Sequence, residues 1–435
     1  MTSRLRRRLT VAATLTTAAL ALSACGSAAG GAPEADETGP QTVEIVWKGD
    51  ATRAAAIEAA LDLYREKNPD VTIKTDFQSG DEYLQKLAIR FASNDAPDLM
   101  RQERDSLRDY SDRGTLLDLH TVEDEIDFDS IPDTILGAGE VGGKLYGLVG
   151  GITSWSMGVN TALFEEYGVE VPDLEEWSWD DYIDSAAELT KASGGAVWGT
   201  DFPVGDISSM GIFLRQQGED LWDEDGEPAF TEATATEWFE LWQEAKDAGA
   251  TPPGGAIDVL GAAADQSALG RGVVASTIIP TNAYASYDAT LGGGLEIAYF
   301  PGEATAKQRG QQIIPSMFWS ISASSKSPKT TASILDFLVN DVEANKLLGG
   351  THGQPANPKV AEAVAEDLSA DDQASFAHLI QLSEEDLTAP IPDPAGAAEL
   401  RSELTTIGDQ VTFGQITPAE AAKQFLAAAE STLGS

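Results

Sequence analysis

The 435-residue chain has a single cysteine, Cys25, so no internal disulfide can hold it together. A fold of this length must rest on a buried core. Histidine is almost as scarce. His120, His352 and His378 stand apart, there is no H-E-x-x-H pair, and Cys25 is the one thiol, which argues against a zinc site. Positive charge is short too: 28 Lys and Arg face 71 Asp and Glu, a formal net charge of −43. Such a surface repels nucleic acid and anionic headgroups. No G-x-S-x-G elbow is present to carry serine chemistry. Gly137 to Gly142 match a dinucleotide G-x-G-x-x-G by letter, but Gly-Lys-Leu-Tyr follows where a helix is required. Residues 221–232 imitate a calcium loop with Asp223, Asp225, Gly226 and Glu232, yet Leu221 in first position cannot ligate. Beyond the N-terminal segment there is no apolar run of about 18 residues, hence no expected membrane-spanning helix. No internal repeat is visible.

The N-terminus is where the composition turns. Arg4, Arg6, Arg7 and Arg8 precede an apolar run from Leu9 to Leu22, the layout of a secretory signal and too short to span a bilayer. The run closes on Leu22-Ser23-Ala24-Cys25, which resembles the lipobox of bacterial lipoproteins, where cleavage precedes the cysteine and a diacylglycerol joins its sulfur. The expected mature chain starts at Cys25, with residues 1–24 as signal peptide. Its charge is then −47, because the four arginines leave and residues 1–24 contain no acid. Residues 25–41, rich in Gly, Ala, Pro and acid, read as a flexible tether.

From Thr42 the pattern is globular. Val43, Ile45 and Trp47 mark a strand, and Ile57, Leu61 and Tyr64 one face of a helix. Asn68-Pro69-Asp70 ends that helix, Val71 to Phe77 reads as a strand, and Leu84, Leu87 and Phe91 mark a second helix before Ala96-Pro97. Leu99-Met100 is a short third strand. This β-α-β-α-β order predicts a parallel sheet covered by helices, with ligands at the carboxyl ends of its strands. After a helix near Leu107 to Arg113 and a hairpin-like segment at Gly143 to Leu148, a second α/β set follows. It comprises a helix from Trp179 to Lys191, a strand near Ala196 to Thr200, a helix with Trp238, Leu241 and Trp242 on one face, and a strand from Val273 to Ile279. Met317 to Ser322 reads as a further strand, and Ile334, Phe337 and Leu338 mark a helix beyond Ser327-Pro328.

Several stretches, in this order, resemble the extracellular solute-binding proteins of carbohydrate ABC importers, the family 1 group that includes maltose-binding protein. They are VEIVWKGD at Val43, KLAIRFASNDAPDLM at Lys86, LRDYSDRGTLLDL at Leu107, GKLYGLVGGITSWSMGVNTALFEEYGV at Gly143, WSWDDYIDSAAELT at Trp177, IIPSMFWSISASSKSP at Ile313 and SILDFLVND at Ser333. The resemblance covers Thr42 to about Gln424. It implies an α/β, two-lobe periplasmic-binding-protein-like fold of type II with an interlobe cleft and hinge crossovers. It also implies that the N-terminal lobe takes 42–152 plus 320–365, and the C-terminal lobe 153–319 plus 366–435.

A sugar presents hydroxyls that donate and accept, and C–H patches that pack on aromatic faces, so its site needs carboxylates or amides beside aromatics. Such residues stand at the expected strand ends and crossovers. In the first lobe these are Trp47, Lys48, Asp50, Gln78, Gln102 and Asp105; Trp47 also reads as core, and Asp50 and Asp105 as helix N-caps. Gln102 stands where the resemblance implies an aromatic. Thr153 and Trp155 mark the first crossover, and Thr153 lacks the carboxylate that relatives often carry nearby. In the second lobe the candidates are Asp206, Asn282 and Tyr284, and at the second crossover Phe318 and Trp319, of which alternation lets one face the ligand. The expected function is a non-enzymatic, lipid-anchored receptor on the extracellular face of the cell membrane. It would bind a mono- or oligosaccharide as a monomer without cofactor or metal and deliver it to a permease. A secreted, lipid-anchored glycoside hydrolase and a binding protein for a polyamine or other non-sugar solute are the alternatives.

Overall fold

A computed structural model describes residue 37 and residues 39–433, except 50, 79–81, 254–263, 351 and 392, with backbone alone at 52, 104, 105 and 134. The expected signal, Cys25 and the candidate Asp50 therefore lie outside the described residues, as does the side chain of Asp105.

Three parallel strands open the fold: β1 (Gln41–Lys48), β2 (Val71–Gln78) and β3 (Leu99–Gln102), with β1 between the other two. A central strand is covered on both faces, so Val46 is buried along with the alternating Val43, Ile45 and Trp47. The helix Ala51–Lys67 supplies one cover, burying Ile57, Leu61 and Tyr64. From the helix Glu82–Ala92, Tyr83 donates its hydroxyl to the Arg101 carbonyl at 2.7 Å.

A small hairpin follows, β4 (Glu140–Val141) and β5 (Lys144–Leu145), turned through Gly142 and Gly143 at φ +60° and +75°. Such φ values favour residues without a Cβ. The remaining strands are β6 (Leu148–Thr153), β7 (Trp155–Asn160), β8 (Ser276–Pro280), β9 (Leu295–Ala298) and β10 (Ile314–Ile321). The first sheet has the order β2-β1-β3-β10-β6, and β10 is antiparallel to both its neighbours. The parallel pairing expected of the β-α-β-α-β run holds for β1 to β3, and β10 joins their sheet antiparallel. Strands β1, β3 and β6 run toward the cleft, whereas β10 enters the sheet from the cleft and so runs away from it. Because β10 begins at Ile314, the expected lobe boundary at 319/320 falls inside this strand.

The second sheet, β8-β7-β9, is antiparallel and shorter than the α/β pattern suggests. The strand expected near Ala196 to Thr200 is reduced to one bridge, Trp198 with Val274. A Cβ on Gly199 would lie 2.1 Å from the Ala186 carbonyl oxygen, so this segment is pressed against a helix instead of pairing along its length.

Each sheet carries its own core. The first draws on residues between Val43 and Ile152 and between Met317 and Ala356. The second draws on Met157 to Phe300 and, much later in the chain, Ala397 to Leu433. In the second, the helix Glu232–Asp247 buries Trp238 and Trp242, and Trp179 meets both edge-on with centroids 6.4 and 6.2 Å away. The Trp238 and Trp242 pattern, read from sequence as a helix face, is core. Trp179 opens the helix Trp179–Ala192, whose capping box has Ser178 Oγ accepting from Asp181 N at 3.1 Å and Asp181 accepting from Ser178 N at 2.9 Å. Ser178→Ala is expected to cost about 1 kcal/mol in urea unfolding; unaltered stability would show that packing of the tryptophans alone sets this helix start.

Candidate functional site

The chain passes from the first sheet to the second through one residue, Ser154, between β6 and β7. The passage is stitched by side chains. Thr153 Oγ1 lies 2.9 Å from Thr281 Oγ1, Ser154 N donates to Thr281 Oγ1 at 3.2 Å, and Gln311 donates its amide to the Trp155 carbonyl at 2.8 Å. Gln311 precedes β10, so its amide ties the returning connection to the outgoing one.

Beside this passage lies a cleft of about 490 Å3 lined from both lobes. The first lobe contributes Lys48 and Glu103, whose Nζ and Oε1 are 3.5 Å apart. Arg101 reaches the same carboxylate at 3.4 Å and also donates to the Lys48 carbonyl at 2.9 Å, which sets the height of the pair at the strand ends. The crossovers supply Thr153, Trp155, Pro280, Asn282, Gln312 and Ser316.

The second-lobe wall is the helix Ile207–Gln216. Ile207, Gly211 and Arg215, four apart, share one face toward the cleft with Ser208 and Ile212. Gly211 makes room there: a Cβ would meet Leu221 Cδ1 at 3.0 Å and an Arg215 guanidinium nitrogen at 3.3 Å. Arg215 Nε donates to the Gly310 carbonyl at 2.7 Å, and its Nη1 donates to Asp220 at 2.9 Å. Next along the chain comes Trp222, and farther on Asp393 and Arg401 form a pair at 3.8 Å. The wall therefore holds cations each met by a carboxylate, with two indoles, Trp155 and Trp222, among them. Each carboxylate oxygen has more than one lone pair, so a carboxylate met by a cation can still accept from a further donor.

Of the residues expected from sequence, Lys48, Thr153, Trp155 and Asn282 come together in this cleft. Gln78 is half-buried at the end of β2 and accepts through its carbonyl from Gly49 N at 2.9 Å, but does not line the cleft. Trp47 is fully buried and stacked on Phe77 at 6.0 Å, so its core reading prevails. Gln102 is fully buried, with Oε1 accepting from Ser106 Oγ at 2.7 Å. Asp206 is a helix cap: its Oδ1 accepts from Ser209 N and Ser209 Oγ, both at 2.7 Å. Burial pushes its carboxyl up, and the Ser209 hydrogen bonds oppose that. Tyr284 spends its hydroxyl on the Leu295 carbonyl at 2.8 Å within a small core, and burial pushes its phenol up to about 12.

Neither Phe318 nor Trp319 lines this cleft, which corrects the crossover reading for Trp319, while Phe318 borders a smaller cavity beside it. The β10–β6 register shifts between Pro315 and Met317 and again between Met317 and Phe318. A bulge re-aims side chains, so Ile314, Pro315 and Ser316 meet the cleft while Met317, Phe318 and Trp319 turn into the first core. Small neighbours receive them: a Cβ on Gly147 would sit 2.9 Å from Phe318 Cβ, and one on Gly150 3.0 Å from the Trp319 ring.

The sequence reading missed Glu103, Arg215, Asp220, Trp222, Gln312, Asp393 and Arg401. A signal existed for two of them. Arg215 continues the 207, 211 spacing, and Trp222 stands in the segment set aside as a failed calcium loop, where Asp223 Oδ1 in fact accepts from Asp225 N and Glu227 N at 3.0 Å. Among the described residues no group of three or more His, Cys, Asp or Glu is placed to hold a metal ion.

With this geometry, known proteins become comparable. Residues 59–413 match the family described as bacterial extracellular solute-binding protein. The chain is 27% identical over 413 residues to a maltooligosaccharide ABC transporter solute-binding lipoprotein of Streptococcus pneumoniae, a match covering 90% of this chain and 89% of that one. Among solved structures, a periplasmic solute-binding protein of Pectobacterium atrosepticum superposes with a TM-score of 0.80 at 24% identity, covering 91% of this chain and 99% of that one. A periplasmic oligogalacturonide binding protein of Yersinia enterocolitica, solved with saturated digalacturonic acid, gives 0.77 at 21% identity, with 91% and 99% covered. At these identities the two structures speak to fold alone.

Proposed function

We propose, on the premise that the chain belongs to the bacterial extracellular solute-binding protein family, that it binds a mono- or oligosaccharide in the interlobe cleft and hands it to the permease of an ABC importer. The observation that carries this reading is the cleft wall itself: Trp155 and Trp222 set among the pairs Lys48–Glu103, Arg215–Asp220 and Arg401–Asp393, with Asn282 and Gln312 beside them. Indole faces suit sugar C–H patches, and ion-paired carboxylates and amides suit hydroxyls. The name of the Streptococcus pneumoniae relative, a maltooligosaccharide-binding lipoprotein, supports the same ligand class.

The lobe of the first sheet takes 42–153 and 314 to about 365, and the other lobe 155–313 and about 366 onward; sheet membership sets the boundaries at Ser154 and Ile314. Ligand contacts from both lobes favour the closed arrangement, which the permease reads. Cys25 carries the lipid, and residues 25–41 let a monomeric receptor work at the extracellular face of the membrane. The protein binds its sugar without hydrolysing it.

Calorimetry with a sugar panel tests this. Micromolar or tighter binding, about −8 kcal/mol, is expected for at least one sugar, with no product released from it. A response to polyamines or peptides and to no sugar would overturn the ligand class; turnover of a glycan would overturn the receptor reading.

A further inference from the structure

The cleft has a side chamber. A second cavity of about 260 Å3 shares Pro315 and Asp393 with the main cleft as common wall, and it too is lined from both lobes. Glu140 and Val141 of the β4–β5 hairpin stand on the first-lobe side, and Glu224 and Pro390 on the second.

We propose that the ligand is an oligosaccharide, part of which lies in the main cleft while the rest passes Pro315 and Asp393 into this chamber; a monosaccharide fills the main cleft alone. The inference rests on the sugar reading above and settles the length that reading leaves open. Each half of the shared wall is held within its own lobe. Pro315 has a locked φ and pairs with Ile152 at the β10 bulge. Asp393 belongs to the segment that Gln312 anchors by donating its amide to Thr388 Oγ1 at 3.0 Å and to the Ala389 carbonyl at 3.2 Å. The chamber has the chemistry a further sugar unit needs: the carboxylates of Glu140 and Glu224 accept from hydroxyls, the Arg108 guanidinium donates, and Val141 offers an apolar surface to C–H groups. Both carboxylates are exposed, so no buried charge has to be desolvated before a ligand enters.

The test is calorimetry of the whole chain with neutral malto-, cello-, xylo- and manno-series, from monosaccharide to hexasaccharide. Two variants, Val141→Trp and Glu224→Trp, fill the chamber from opposite walls, and thermal melting confirms that each is folded. Affinity is expected to rise with chain length in the unmodified protein. Each variant is expected to bind the longer sugar about tenfold more weakly, the loss of one or two hydrogen bonds, and the shortest bound sugar as before. Equal affinity at every length, or long sugars bound normally by both folded variants, overturns the length inference and leaves the sugar reading standing. Binding of no sugar in the panel overturns the sugar reading, and this inference with it.

Discussion

Trp155→Ala is expected to weaken sugar binding by about 30-fold or more, roughly 2 kcal/mol, the scale on which a buried aromatic anchor acts. Trp155 starts β7, is half-buried against the second core and presents the rest of its indole to the cleft. Its backbone is held independently of the side chain, through pairing with Pro280 and the Gln311 amide on its carbonyl. Truncation should therefore empty a wall of the site without unravelling the strand. Trp155→Phe, which keeps an aromatic face, should recover most of the loss. Affinity within about twofold of the parent in the alanine variant, with melting unaltered, would remove Trp155 from the site and leave Trp222 as the one described indole there.

Acid should destabilise the fold through His378. This residue sits on the helix Ala370–Ser383 with Nε2 2.8 Å from Ser156 Oγ and its ring 5.2 Å from that of Tyr299. Burial pushes its imidazole down to about 4 from an ordinary 6.5. The folded value lies below the unfolded one, so the stability this group contributes is present above about pH 6.5 and is lost as pH falls through about 4. The full effect is about 3 kcal/mol. His352 is pushed the same way, first by burial and then by the charges of Arg53 and Arg101. Asp206 and Glu303 act in the opposite sense, because burial raises their carboxyls and the fold therefore prefers them protonated. The informative measurement is thus a difference: urea unfolding of the parent and of His378→Gln at several pH values between 4 and 7. The variant should show a flatter acid limb, and parallel curves would assign the limb to other groups.

What could be read from sequence follows from how much of each element's pattern is local. The β1–helix–β2–helix–β3 run is long, and its periodicity carries through, as in Val43, Ile45 and Trp47 followed by Ile57, Leu61 and Tyr64. The second sheet is made of short strands: β8 has five residues, nearly all buried, and was read from its apolar run, whereas β9 has four and Trp198 adds one bridge, too little for alternation to mark them. In the site, positions at a strand end or crossover were readable when regular geometry held, as for Lys48 and Thr153. Trp319, and Phe318 as a wall of the main cleft, were misplaced because a bulge is a relation between two strands, and nothing in either strand alone displays it. Asp206 and Tyr284 were misplaced because a cap and a buried phenol use the same polar atoms a sugar would need. Asp393 and Arg401 were missed since they reach the cleft only through the late return of residues 397–433 to the second core.

The one-residue passage at Ser154 has a mechanical meaning. A rotation between the lobes about that point behaves as a lever: displacement grows with distance from the axis and vanishes on it. Thr153, Trp155 and Asn282 stand at the fulcrum: the Thr281 hydroxyl meets Thr153 Oγ1 and the Ser154 N–H, and Thr153 Oγ1 donates to Asn282 Oδ1 at 3.4 Å, so displacement is smallest there. Lys48 with Glu103, and Arg215 with Asp220, ride on opposite arms, each pair intact within its own lobe. On the proposed sugar reading, an arriving ligand would meet this stationary region with its parts already held together. The arms would then close on it, and their contacts would add to those made at the fulcrum.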